Sequence, residues 1–320
     1  MKKAWIYLLL AALLVIALTI PAAAADASTP HCYCGGTSAT GHKVDGCTGN
    51  LNQPWNAYTG STLPATAGYY YLKSDITGCG QAGGANGVTG NIYLDLNGHI
   101  VQMDASSYAF LLNSSANVTI TDFVGTGVIK ADGSGTHAGG VIRVNSSNAK
   151  LNIYGGKLDA NGHDNSTSSK PFGGTIANSG GTLNIYGGTI VGGTANHGGA
   201  IYSSGKLNIY GGTIVGGTAT GSGGGTICAE RCTFNMSGGT ISGGTATTSS
   251  SGGGAVALYT NTVFTMTGGT ISGGSSLKSG DLYGGGNIYI NSFGCREFAA
   301  CLFHSKQYTL KSHCKAQRGE

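Results

Sequence analysis

The sequence predicts an all-β protein, a parallel β-helix solenoid with three short strands per coil, and three observations carry that prediction. The string Leu-Asn-Ile-Tyr-Gly-Gly occurs at 151–156, 183–188 and 207–212, with degenerate copies FNMSGG from Phe234 and FTMTGG from Phe264. Each copy follows a Gly pair that opens a short apolar run, such as GGTI from Gly173 or GGAI from Gly198, and precedes a third run such as GGTIVGG. The opening pairs at Gly139, Gly173, Gly198, Gly224, Gly253 and Gly285 lie 34, 25, 26, 29 and 32 residues apart. Self-similarity at such a period marks supersecondary units that bury their apolar faces only by stacking.

Composition narrows the function classes. Glycine supplies 59 of 320 residues, but without a Gly-X-Y period and with only 5 Pro, which excludes collagen. Apolar residues reach 40% and charged ones 9%, so the chain folds rather than staying open. With 17 Lys+Arg against 13 Asp+Glu there is no basic stripe, and a nucleic-acid partner has no electrostatic basis.

Met1-Lys2-Lys3, an apolar run from Ala4 to Ile20, and then Pro21 and the small residues to Ala25 read as a signal peptide over 1–25, cleaved near Ala25. The run also reaches the lower edge of a spanning helix, but its small-residue exit favours cleavage. The expected location is therefore secreted or cell-surface, with no membrane span after cleavage. Residues 26–58 form a segment rich in Cys, His and Gly. In it Cys32, Cys34, His42 and Cys47 offer the nitrogen and sulfur ligands of a zinc site. The Cys-x-Cys spacing is not the usual one for zinc and export favours disulfides, so zinc, disulfide and neither stay open.

Residues 59–108 are expected to be an entry coil or N-terminal cap, and 109–290 the regular coils. Within LNIY, alternation puts Leu and Ile on one face and Asn and Tyr on the other. Stacking then predicts four interior ladders. Ile142, Ile176, Ile201, Ile227, Val256 and Ile288 form the first; Leu151, Leu183, Leu207, Phe234 and Phe264 the second. Ile153, Ile185, Ile209, Met236 and Met266 form the third, and Leu158, Ile190, Ile214, Ile241 and Ile271 the fourth. Length differences fall between the third strand and the next Gly pair, so one edge carries the variable loops. Residues 291–320 carry no coil signature, and read either as a polar cap or as a truncated or frame-shifted end.

The LNIYGGTI and GGAI coils, with YLDLNGHIV at 93–101 and VTITDFVGTGVI at 118–129, resemble the right-handed parallel β-helix proteins of the pectin-lyase-like superfamily, especially adhesin-like surface proteins of Gram-positive bacteria. The resemblance spans about 91–290 and, with the crossover rule, implies right-handed coiling. It does not choose among polysaccharide lyases, hydrolases, glycan-binding modules and inert stalks.

Counting carboxylates weighs against the enzymes. Hydrolysis of a glycosidic bond needs an acid and a base flanking it, yet from Asn165 to Ile290 the only acids are Glu230 and Asp281. One cluster remains at the variable-loop edge, Asp132, Asp159 and Asp164 with His137 and His163, and Arg143 as a nearby base. These read first as polar turn residues, with a calcium site or catalysis as alternatives. Tyr154, Tyr186 and Tyr210 project from one position on three successive coils, beside Asn152, Asn184 and Asn208. Such a face can stack on sugars and bond their hydroxyls, or merely stabilise pairing between coils. Thr189, Thr213, Thr240 and Thr270 form a further outward file, with one repeating Thr per strand too sparse for ice binding. The expected function is a non-catalytic adhesin that contacts extracellular glycans or a host surface; a lyase or hydrolase and a structural stalk are the alternatives.

Overall fold

The computed structural model describes residues 55–104, 108–133, 140–167, 172–221, 223–247, 252–276 and 284–290. They form an all-β parallel β-helix. The opening runs make a seven-stranded sheet from Phe110–Leu112 to Ile288–Ile290. The LNIY runs make a nine-stranded middle sheet from Asn56–Tyr58 to Val263–Met266, and the closing runs an eight-stranded sheet from Ile76–Cys79 to Thr270–Ser272. Neighbouring strands are parallel, and the single helical element among the described residues is the 3-10 turn Gly84–Asn86.

Register follows the repeats. Leu183 pairs with Leu151 and Leu207, Ile209 with Ile185 and Met236, Ile201 with Ile176 and Ile227, and Ile214 with Ile190 and Ile241. These side chains are buried in one continuous core. Each fully buried Ile or Leu contributes about 1.5–3 kcal/mol relative to exposure. Stability is thus distributed as contacts between adjacent coils.

The stack begins earlier than the regular repeats. Asn56 pairs with Tyr70, and Tyr69 with Tyr93, in the same sheet as LNIY, so the segment expected as an entry coil is already stacked. Burial does not alternate cleanly there, with Tyr71 and Leu72 both buried, and the Gly–Gly corner that follows each later LNIY run is missing after YYYL. A fourth, two-residue strand also recurs, at Thr194–Ala195, Thr218–Ala219, Thr245–Ala246 and Ser275–Ser276. It turns Ala195, Ala219 and Ala246 inward and is too short to register as a period.

The opening Gly pairs are needed for close approach. A Cβ on Gly140, Gly174, Gly199, Gly225 or Gly254 would collide with the carbonyl oxygen of its counterpart one coil on, respectively Gly174, Gly199, Gly225, Gly254 and Gly286. This column brings backbone against backbone, and no side chain fits.

Candidate functional site

On the outer face of the middle sheet, stacking places identical amides within bonding reach of one another. Asn152 Nδ2 donates to Asn117 Oδ1 (2.9 Å), Asn184 Nδ2 to Asn152 Oδ1 (2.8 Å), Asn208 Nδ2 to Asn184 Oδ1 (2.8 Å) and Asn235 Nδ2 to Asn208 Oδ1 (2.9 Å). The amides point outward as alternation requires, but half of their capacity closes this ladder, and Asn208 is buried. Beside them the tyrosines stack face to face. Tyr154 and Tyr186 lie 4.3 Å apart at 7°, and Tyr186 and Tyr210 4.7 Å apart at 9°. Both faces of Tyr186 are covered by its neighbours, so the stack presents ring edges rather than the flat faces expected from the sequence. Tyr210 is the most open, at 46% exposure.

A groove of about 570 Å³ runs beside this stack, where the middle sheet turns into the closing sheet. It is lined by Tyr154 and Tyr186, by Lys157 and Thr189, by the glycine corners between them, and by Asp122 and Thr126 of the preceding coil. Asp122 is 3% exposed. Its Oδ1 accepts from the Gly98 N–H (2.8 Å) and its Oδ2 from the Gly127 N–H (2.5 Å). Burial pushes its carboxyl above the usual range against these N–H donors, and the charge of nearby Asp95 adds to the rise. Asp95, also buried, accepts from the N–H groups of Asn97 and Phe123. The two acids thus tie the corners of successive coils together. Lys157 Nζ lies 2.7 Å from Asp159 Oδ2, which neutralises the one base among the described residues that line the groove.

Asp122 was not among the residues singled out in the sequence, although a signal is there. Continuing the register of Ile120 with Ile153 and of Ile153 with Ile185, Asp122 stands where the later coils carry Gly155 and Gly187. An acid replacing a corner glycine is the anomaly that marks the groove.

The other expected acids have separate tasks. Asp159 Oδ1 accepts from the Asn161 N–H (2.8 Å), and Asp164 Oδ1 from the Ser166 N–H (2.9 Å), both in Asx turns. Asp132 is half-buried, two residues beyond the strand Val128–Lys130. Arg143 sits in a different sheet, in Ile142–Val144, is 8% exposed, and donates from Nε to Asn145 Oδ1 (3.3 Å). Among the described residues no group of three or more His, Cys, Asp or Glu side chains could hold a metal ion. Cys32, Cys34, His42, Cys47 and His137 lie outside the described residues.

Cys228 and Cys232 are both free and buried, so the small loop they flank is not closed by a disulfide. Burial raises the Cys232 thiol to about 11 and also pushes Cys228 upward. Thiolate is the reactive form. Neither residue is expected to alkylate in the native protein at mildly alkaline pH, while both should label in urea. Mass mapping after iodoacetamide checks this, and native labelling at either position would contradict the burial.

Comparison with family models, with curated proteins and with solved structures gives no match. Among the described residues no helix is long and apolar enough to cross a membrane.

Proposed function

We propose that the chain is an extracellular β-helix module that contacts glycans without chemistry, in the manner of the adhesin-like Gram-positive surface proteins of the pectin-lyase-like superfamily that its coils resemble. The observation that carries this reading is the tyrosine stack, two rings of which, Tyr154 and Tyr186, line an open, glycine-rich groove spanning three coils. Ring edges and hydroxyls in a row, with the Thr126 and Thr189 hydroxyls also lining the groove, suit the mixed apolar and hydroxyl surface of a sugar chain lying along the solenoid axis. Two coil steps of ~4.8 Å give a row of roughly 10 Å, about two sugar residues. Affinity from so few contacts falls in the millimolar to micromolar range, and many copies on a surface would raise it by avidity. The signal-peptide reading of 1–25 supports an extracellular setting.

Retention on a glycan array tests the reading. Changing Tyr154, Tyr186 and Tyr210 together to Ser is expected to abolish retention. Stability should fall by about 1–3 kcal/mol, because two stacked pairs at ~0.5–1.5 kcal/mol each are lost. Unchanged retention in a folded triple variant would leave the tyrosines as ladders between coils and remove the basis of the proposal.

A further inference from the structure

Resting on that reading, we infer that the groove beside the tyrosine stack is selective for sugars that carry a protonated amino group, with the Asp122 carboxylate as the counter-ion. The charges around the groove point to this class. Asp122 lines it while 97% of its surface is covered, and Asp95 lies close enough behind it to add its own repulsion. The base on the groove, Lys157, is already matched by Asp159 at 2.7 Å. The local balance is therefore negative, in a chain whose formal net charge is +4. General attraction for polycations is absent, so attraction for a cation at this spot is a property of the site.

Asp122 also keeps room for a ligand. A carboxylate offers about four acceptor positions, and the backbone donors here are the N–H groups of Gly98, Gly127 and Gly125. One acceptor position remains in this count. A carboxylate raised by burial and by a neighbouring negative charge gains more from an adjacent cation than an exposed one does. An ammonium brings three N–H donors, which answers an acceptor-rich corner better than a neutral hydroxyl or an acetamide. Tyr154 and Tyr186, which line the groove, favour a sugar over a bare amine, because they offer packing to the apolar ring edge of the residue that bears the amine.

The test uses titration calorimetry of the full chain with a glucosamine oligomer, its N-acetylated counterpart and pentalysine, at a pH where the sugar amines are protonated. The glucosamine oligomer is expected to bind at least about tenfold tighter than the other two. Asp122→Asn should remove that preference. Because Asp122 also anchors the corners at Gly98 and Gly127, this variant can lose its fold, so a second one is needed. Thr126→Lys places a cation at an exposed position on the groove and should weaken glucosamine binding about tenfold with the circular dichroism unchanged. Equal binding of the acetylated oligomer, or indifference to Thr126→Lys, overturns the amino-sugar assignment while tyrosine-dependent glycan retention survives. Equal or tighter binding of pentalysine overturns it in favour of a peptide ligand. Absence of binding to any glycan overturns this inference and the proposed function together.

Discussion

Ile209→Asp is expected to unfold the central coils. Ile209 is 1% exposed and lies in register between Ile185 and Met236, so the new carboxylate would face apolar side chains on both sides. A buried, unpaired charge costs several kcal/mol, and either the coil opens or the acid is held protonated. Because contacts run only between adjacent coils, the loss should begin locally, and limited proteolysis should cut between the strands Thr182–Ile185 and Thr233–Met236 before the rest of the stack. Tyr210→Asp, one residue further on, is the control. That side chain points outward and is 46% exposed, so the acid is solvated and only one ring contact is lost, about 1 kcal/mol. Urea titration of both variants separates them. Equal stabilities would mean that inward and outward are wrongly assigned in LNIY.

Gly199→Ala should be nearly as damaging, although it adds a single methyl group. The added carbon would run into the carbonyl oxygen of Gly225 and the amide nitrogen of Thr218. Both are backbone atoms locked in the hydrogen bonds from Gly199 N–H to Gly225 O (3.0 Å) and from Thr218 N–H to Gly193 O (2.8 Å). No side chain can swing away, so adjacent coils must separate at this corner. A cost at or above the usual ~1–3 kcal/mol for overpacking is expected, with a lowered melting temperature. Gly80→Ala is the comparison, since its new methyl would meet nothing nearer than Asp104 Oδ2 at 3.7 Å. Thermal unfolding of the pair decides: similar melting temperatures would show that the glycine column tolerates a side chain.

Both expectations use features already visible in the chain. The four interior ladders were readable because alternation within LNIY is a local property, and because repeats of one string must stack in register to keep every Leu and Ile inside. The Gly pairs likewise mark the corners in the chain itself. The earliest coils were harder to see. YYYL at 69–72 alternates less cleanly and lacks a Gly–Gly corner, yet Gly68 to Tyr71 pair with Ile92 to Asp95 as regularly as later strands do. Partners along the stack, rather than the segment's own pattern, settle its place.

The candidate site divides along the same line. That Tyr154, Tyr186 and Tyr210 share one outer file, beside Asn152, Asn184 and Asn208, was determined by the sequence, since spacing and alternation alone require it. What those side chains offer was decided in three dimensions. Coils about 4.8 Å apart bring identical rings face to face and identical amides into hydrogen-bonding reach, so the ring faces and half the amide capacity are turned toward neighbouring copies. Asp122, the acid lining the groove, carried no mark of its own in the chain beyond its place in VTITDFVGTGVI. Only stacking, which sets it in register with Gly155 and buries it against the glycine corners, makes it a charged residue lining the groove. A repeat determines which residues align, because alignment depends on spacing. How much of each side chain stays available depends on the distance between coils, which only the packed solenoid supplies.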